Sequence, residues 1–589
     1  MDTEPFTFKT LFHLAFKHKK ALLYGQLITF FAIVISIPIP LMLPAMVDEV
    51  LLEKPAYFLE IIEIFIEKPS AFTAIAIVTF AVVFLRLVYL VFTVINTKIF
   101  THIAKYITYM LRKRLIQHLK YATMNEYETL GSGAITSNLI TDINTLDSFL
   151  ITTTSRFVTS VLTLIGVGVV MMLIDPYLGL LILVIQPLVL LLNKKMIRKV
   201  SQLKKVENKS IEEFQENFAQ TLELYGQIKA SNKENYFFDK AIKNAQNIQN
   251  ASNNYGYKNV AYERFSYTIF LIVFELLRAA GLLLVAYSDL SIGMMFAMFG
   301  YIWFIMTPVQ DILSMQYSYA SAKAALERIN TILDLHQEKN GTKTLQDTKV
   351  SIRVEDLCFS YAPEKQTLKN ISLFIPMGAK IALIGSSGSG KTTLAQILAG
   401  FYEKQSGTLS YNQIPIEELN KSSLRQKIFL VLQMPILFND TLHFNLTMGD
   451  QSISLEQIQN ALEIAELAEL LAQMPQGLNT IVGRHGIRLS GGQRQRLSIA
   501  RMILADPSVV IFDESTSALD VHTEAKIQAK LLPLLADKTV ITIAHRLSTV
   551  KNAEMIYVLE DGKVVQRGSH KELEEEEGHY MEFVKKQLI

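Results

Sequence analysis

A helical membrane domain followed by an α/β nucleotide-binding domain is the fold class this sequence predicts, and three observations carry that expectation. Apolar residues make up 50% of the chain and concentrate before about residue 325. Six stretches there are long enough to cross a bilayer, which takes about twenty apolar residues. Beyond residue 349 the pattern changes to short strands, one of which runs into Gly385-Ser-Ser-Gly-Ser-Gly-Lys-Thr392. That run fits the phosphate-binding loop pattern G-x-x-x-x-G-K-[ST].

The six expected crossings are 21–47, 71–95, 157–174, 177–192, 266–287 and 292–313. Only Asp175-Pro176 joins the third to the fourth, a tight hairpin. The first begins after a polar stretch and is too long for a cleavable signal. Pro38, Pro40 and Pro44 should kink or thin it near its outer end, because each proline removes a helical donor and crowds the preceding turn. A second reading puts Pro44 onward outside the bilayer. Lys and Arg set the orientation. Lys17, Lys19 and Lys20 precede the first crossing, Lys98 to Lys120 carry six basic residues after the second, and Lys194 to Lys205 carry six after the fourth. Residues 48–68 are mostly acidic where charged. Both termini are therefore expected on the cytoplasmic side. Residues 6–16 place Phe6, Phe8, Leu11, Phe12 and Phe16 among polar neighbours, which reads as an interfacial amphipathic elbow or as a frayed terminus. Stretches 98–121 and 194–224 lack Gly and Pro and read as helical extensions beyond the membrane.

In the second half, three strand ends carry chemistry. Apolar residues 381–384 lead into Gly385, Ser386, Ser387, Gly388, Ser389, Gly390, Lys391 and Thr392, with Thr393 opening the following helix. Small residues let backbone N–H groups point at the β- and γ-phosphates of a nucleotide such as ATP, and the helix end adds positive potential. Lys391 adds a point charge, and Thr392 offers a hydroxyl to Mg²⁺. Residues 509–512 end at Asp513-Glu514, and a carboxylate there is costly unless it has a task. Residues 539–544 end at His545.

Leu489-Ser-Gly-Gly-Gln493, about a hundred residues after the phosphate loop, resembles the signature motif of ATP-binding-cassette (ABC) proteins. With the loop it identifies residues from about 350 onward as similar to an ABC ATPase. The membrane half resembles the exporter branch of that family through weaker motifs. The resemblance implies roles. Tyr361 stacks on adenine. Gln433 and Asp513 hold Mg²⁺ with Thr392. Glu514 is the general base and His545 the switch histidine. Ser517 to Asp520 form the D-loop, with Asp520 at the nucleotide. Ser490, Gly491, Gly492 and Gln493 face the phosphates bound to a second subunit. One chain then lacks a complete site, so the partner is a second copy of itself or a homologous half-transporter. Every motif keeps its catalytic residue, which favours a homodimer. Short coupling helices are implied near 124–127 and 224–229. The implied domains are an elbow at 1–20, a transmembrane domain at 21–325, a linker at 326–348 and the ABC nucleotide-binding domain at 349–589.

One departure stands out. Such exporters usually carry an acidic-then-basic pair between two glycines before the signature, where this chain has Gly483-Arg-His-Gly486. Either an acid on the coupling surface, Glu223 or Glu126, compensates Arg484, or the loop is tolerant. Arg86, Glu275 and Arg278 lie in or near crossings, where charge faces a cavity or a partner. Glu275 and Arg278 sit three apart and either neutralise each other or line a cavity with Phe270, Phe274, Tyr301 and Trp303. The implied activity is ATP-driven export or flipping of a hydrophobic or amphipathic substrate, a drug or lipid. A lipid-linked glycan is the alternative load, and an ATP-gated channel or regulator the alternative class. A net charge of +2 gives no reason to expect nucleic acid as a partner. The single cysteine, Cys358, excludes an internal disulfide. The N-terminus reads as that of a bacterial cytoplasmic (inner) membrane protein without an organelle presequence.

Overall fold

The computed structural model describes residues 4–54, 60–62, 64, 66, 69–288, 290–362, 365–483, 489–514, 518–544 and 546–588. It divides into two compact units, one of residues 1–116 and 136–333, the other of residues 117–135 and 334–589.

The first unit is helical. Helix Lys19–Ser36, its second, gives way to a tight 3₁₀ turn, Ile39–Leu41, and then to a wider π-helical turn, Ala45–Leu51. The irregular stretch begins at the expected prolines. Asp48 on it is buried, and it accepts from the Gly293 amide at 2.9 Å and from Ser291 Oγ at 2.5 Å. It therefore caps the helix Ile292–Leu333. The second crossing and its extension form one helix, Ala71–Leu119, about 73 Å long at 1.5 Å per residue. Helix Val158–Ile174 turns at Asp175 into Pro176–Glu223, the hairpin expected there. Helix Glu234–Tyr287 holds the fifth crossing. By length and composition alone, five helical stretches among the described residues can span a bilayer; the fourth expected crossing opens Pro176–Glu223. The last helix runs to Leu333, into the expected linker.

The terminus is docked. Thr7 caps helix Phe8–Phe16 reciprocally with Thr10, Phe6 is buried, and Asn330 bonds both Phe6 backbone groups at 2.8 and 2.9 Å. Phe8 stacks on Tyr319 with centroids 4.8 Å apart.

The second unit holds two sheets. Strands β1 (Ile352–Phe359), β2 (Leu368–Ile375), β4 (Ser406–Tyr411) and β5 (Ile414–Pro415) pair antiparallel in the order β2-β1-β4-β5. Strands β3 (Lys380–Gly385), β6 (Ile428–Val431), β7 (Val509–Asp513), β8 (Thr539–Ile543), β9 (Met555–Glu560) and β10 (Lys563–Gly568) make a six-stranded sheet in the order β10-β9-β3-β8-β7-β6. Its core strands are parallel, Ile381 beside Ile541 and Ile511 beside Ile541. Parallel strands buried on both faces read as near-continuous apolar runs rich in Ile and Val, as Val509-Val-Ile-Phe512 does. Their C-terminal ends sit side by side, so the residues that follow β3 and β7 meet at one edge of the sheet, where ligands gather in such folds.

Candidate nucleotide site

Gly385 ends β3 with φ +149°, and a Cβ there would lie 2.0 Å from the Leu559 carbonyl oxygen, so only glycine fits. Gly390, with φ +98°, is the N-cap of helix Lys391–Leu398. The loop between them folds over Lys391, whose Nζ donates to the carbonyls of Gly385 at 3.0 Å and Ser386 at 2.8 Å. Burial pushes the Lys391 ammonium below its usual range, and Glu514, Asp513 and Glu560 pull it back up. Ser389 Oγ is buried with no hydrogen-bond partner. An orphaned hydroxyl, a lysine turned onto its own loop and a helix N-terminus together form a cradle suited to an anion. The residues fit a nucleotide triphosphate.

The strand-end acids meet this loop. Thr392 Oγ1 donates to Asp513 Oδ1 at 3.2 Å. Glu514, one residue beyond β7, has φ +44°, a left-handed conformation that is costly for a residue with a Cβ and concentrates at functional sites. Gln433 Nε2 donates to Glu514 Oε2 at 2.7 Å. Two residues 81 apart in sequence are thus in contact at the edge of the phosphate loop. Thr392, Asp513 and Gln433 supply hydroxyl, carboxylate and amide oxygens, the hard donor set that Mg²⁺ takes.

Tyr361 is 41% exposed. Its hydroxyl donates to Gln396 Oε1 at 3.2 Å and is 3.1 Å from Thr393 Oγ1, which can donate to it in turn. Ser490 caps helix Gly491–Ala505 in a reciprocal box with Gln493, the two bonds being 2.8 and 3.2 Å. A Cβ on Gly492 would come within 3.0 Å of the Ala518 carbonyl, so the signature turn packs on its own D-loop. Asp520 caps the next helix through Thr523 N at 2.9 Å, which holds its carboxyl below the usual range. Ser517 and His545 lie outside the described residues, as do Arg484 and His485.

Gln495 escaped the sequence reading. It is 4% exposed, donates to the Gln433 carbonyl at 3.0 Å and accepts from the Ala518 amide at 3.0 Å. One side chain of the signature helix therefore ties the Q-loop to the D-loop. A glutamine on the core face of an amphipathic helix was the available signal.

In the membrane unit, Glu275 and Arg278 pair with each other. Tyr301 is fully buried and donates to the Ile37 carbonyl at 2.6 Å, so it packs the bundle instead of lining a cavity. Trp303 and Arg86 share a cavity of about 470 Å³ with Met46, Val82 and Phe304. Glu126 is held by His336, through its ring and its backbone N–H at 3.2 Å. Glu223 is exposed.

Comparison with known proteins reaches both halves. Residues 23–309 match the ABC transporter transmembrane region, and residues 368–517 match the ABC transporter family proper. A protein of Legionella pneumophila (strain Paris) named "ATP-dependent lipid A-core flippase" is 32% identical over 496 residues, 83% of each chain. The chain belongs to the ABC transporter family. It is an ATP-dependent transporter with fused transmembrane and ATPase domains, and an integral membrane protein. A Vibrio vulnificus relative of the same name is 42% identical over 288 residues, 48% of each chain. The solved structure of a bacterial Atm1-family ABC exporter with ATP bound superposes with a TM-score of 0.82 over 97% of this chain and 98% of that one, at 23% identity, which speaks to the fold.

Proposed function

We propose that this chain is one half of a homodimeric exporter that flips a lipid or related amphipathic molecule, driven by ATP hydrolysis. The contact of Gln433 with Glu514, beside the Thr392–Asp513 pair at the phosphate loop, carries the reading. In it, the backbone N–H groups of residues 385–393 and Lys391 bind the phosphates, and Tyr361 supports adenine. Thr392, Asp513 and Gln433 hold Mg²⁺, which neutralises charge on the β- and γ-oxygens when bound. Glu514 takes the proton from the attacking water, and Gln433 orients that carboxylate. His545 holds the γ-phosphate end. Ser490, Gly491, Gly492, Gln493 and Asp520 complete the site of a second copy, because a helix N-terminus favours the anion.

The cargo is argued from the relatives' name, which says lipid A-core, and from the mixed polar and aromatic wall that Arg86 and Trp303 form. Placement in a bacterial inner membrane with both termini cytoplasmic rests on the Lys/Arg distribution.

The test is Mg-ATPase of the purified chain in lipid nanodiscs, wild type against Glu514→Gln, across lipids, glycolipids and amphipathic drugs. Activity that requires Glu514 and rises with one cargo class supports a competent homodimer and names the cargo. A folded chain that binds ATP and hydrolyses nothing would instead indicate an obligate heterodimer or a regulator.

A further inference from the structure

The short helix Met124–Leu130 belongs to the ATPase unit, although its sequence lies between two membrane helices. Two acids pin it. Glu126 is held by His336, in the segment that follows the last membrane helix, and the two strands of chain also exchange backbone bonds, Thr123 N to His336 O at 2.9 Å and Glu338 N to Tyr121 O at 2.8 Å. Glu128, two residues on, accepts from the Tyr402 hydroxyl at 2.9 Å. Hydrolysis requires nothing of this second bond.

Tyr402 is buried in the loop that leaves the phosphate-loop helix. Its ring meets Tyr361 edge-on, with centroids 5.4 Å apart and planes at 88°. Phe359 meets Tyr361 in the same way at 5.0 Å and 86°, and Tyr402 lies 5.6 Å from Phe359. The Tyr361 hydroxyl is tied to the phosphate-loop helix through Thr393 and Gln396. Tyr361 is therefore gripped by its hydroxyl on one side and by two aromatic edges on another, and its ring stays partly exposed. Stacking depends on the plane of the ring, and the plane of Tyr361 depends on where Tyr402 stands. Glu128 holds Tyr402 by its hydroxyl. Burial, reinforced by Glu128, pushes that phenol above its ordinary range, so it remains a donor.

We propose that Tyr402 is a positioning residue for nucleobase recognition, and that its hydrogen bond to Glu128 makes affinity for the base depend on where helix Met124–Leu130 stands. This rests on the reading of Tyr361 as the adenine platform. The phosphates are held by other atoms, so the effect falls on the base alone. The chain leaving the last membrane helix, the short helix and the base platform then form one connected path: His336–Glu126, Glu128–Tyr402, Tyr402–Tyr361.

The experiment measures dissociation constants for ATP and for inorganic tripolyphosphate on the full chain in nanodiscs. The variants are Tyr402→Phe, Glu128→Gln, their double and Tyr361→Ala. Tyr402→Phe keeps the buried ring, which preserves packing. Each of the two singles should weaken ATP binding about three- to tenfold, the range of an ordinary net hydrogen-bond contribution, because the bond acts on the base only through the Tyr361 ring. Tripolyphosphate binding should not change, and the double should be no weaker than the weaker single. Equal losses for ATP and tripolyphosphate would mean a merely structural role and overturn the proposal. So would unchanged ATP affinity in both singles while Tyr361→Ala weakens it. Unchanged ATP affinity in Tyr361→Ala would instead sink the platform reading, and the inference with it.

Discussion

The ATPase unit and the membrane unit solve opposite packing problems. In the first, the apolar strand residues are sealed from water: Ile381, Ile511 and Ile541 are 2% exposed or less. In the second, apolar residues face outward, Phe72 at 84% and Leu173 at 81%, as suits helices that a bilayer surrounds. The interior of the membrane unit has its own apolar core, around Met171, Met298 and Ile302, and polar contacts join its helices. Arg328 grips the buried carboxylate of Asp142 through Nε at 3.0 and 3.1 Å and through Nη2 at 2.5 Å. Asp48 caps a helix end, and Tyr301 reaches the Ile37 carbonyl. In the ATPase unit a set of polar groups meets at one sheet edge, Thr392 with Asp513 and Gln433 with Glu514. The buried polar residues Asp48, Asp142 and Tyr301 of the membrane unit thus join helices, whereas Asp513 and Glu514 at a strand end of the ATPase unit border the candidate nucleotide site.

If that contrast holds, substitutions in the two units should move different observables. Glu514→Gln should lower ATPase activity by about 10²–10⁴-fold, the usual contribution of a positioned base, with ATP still bound and the melting temperature nearly unchanged. A steady-state assay beside a binding isotherm checks both. A large fall in melting temperature with this variant would break the contrast. Arg328→Ala should do the reverse. It leaves the Asp142 carboxylate, 4% exposed, without its partner, at a cost of roughly 2 kcal/mol, read as a lower melting temperature in detergent. Tyr301→Phe removes one buried bond and should cost about 1 kcal/mol by the same measurement. A change in which substrates stimulate the ATPase, with stability intact, would return Tyr301 to the cargo site.

The smallest effect sharpens the surface of the ATPase unit. Lys530 Nζ lies 2.6 Å from Glu466 and holds its carboxyl below the ordinary glutamate range. A depressed carboxyl stabilises the fold above its unfolded-state pKa, near 4.3, and that contribution is lost as pH falls through the lower folded value. The pair is partly exposed, so the difference should be a few tenths of a kcal/mol. Lys530→Met should shift the melting temperature slightly at pH 7, and the gap to wild type should close below about pH 4. A gap that persists into acid would assign the effect to packing.

The residues of the candidate nucleotide site were legible in the sequence because each motif is local. A phosphate loop needs its glycines in consecutive positions, and an acid at a strand end announces itself after four apolar residues. Gln495 was not legible, because its two partners, the Gln433 carbonyl and the Ala518 amide, are distant in sequence and belong to the backbone. Among the membrane residues, hydropathy found the long apolar helices and the prolines found the irregular turn. It could not say that Tyr301 points at Ile37, since a face of a long apolar helix is chosen by its neighbours. Nor did charge counting assign Glu126, which His336 occupies.

By itself, then, the sequence determined the family, the order of its two halves, the long apolar helices and the residues that end β3 and β7, because each follows from short-range pattern and composition. Only the tertiary structure decided that Gln433 touches Glu514, that Gln495 ties two loops together, and that Tyr402 stands between Tyr361 and Glu128. Those contacts join segments scores to hundreds of residues apart. They depend on how sheets and helices stack, which no local pattern encodes.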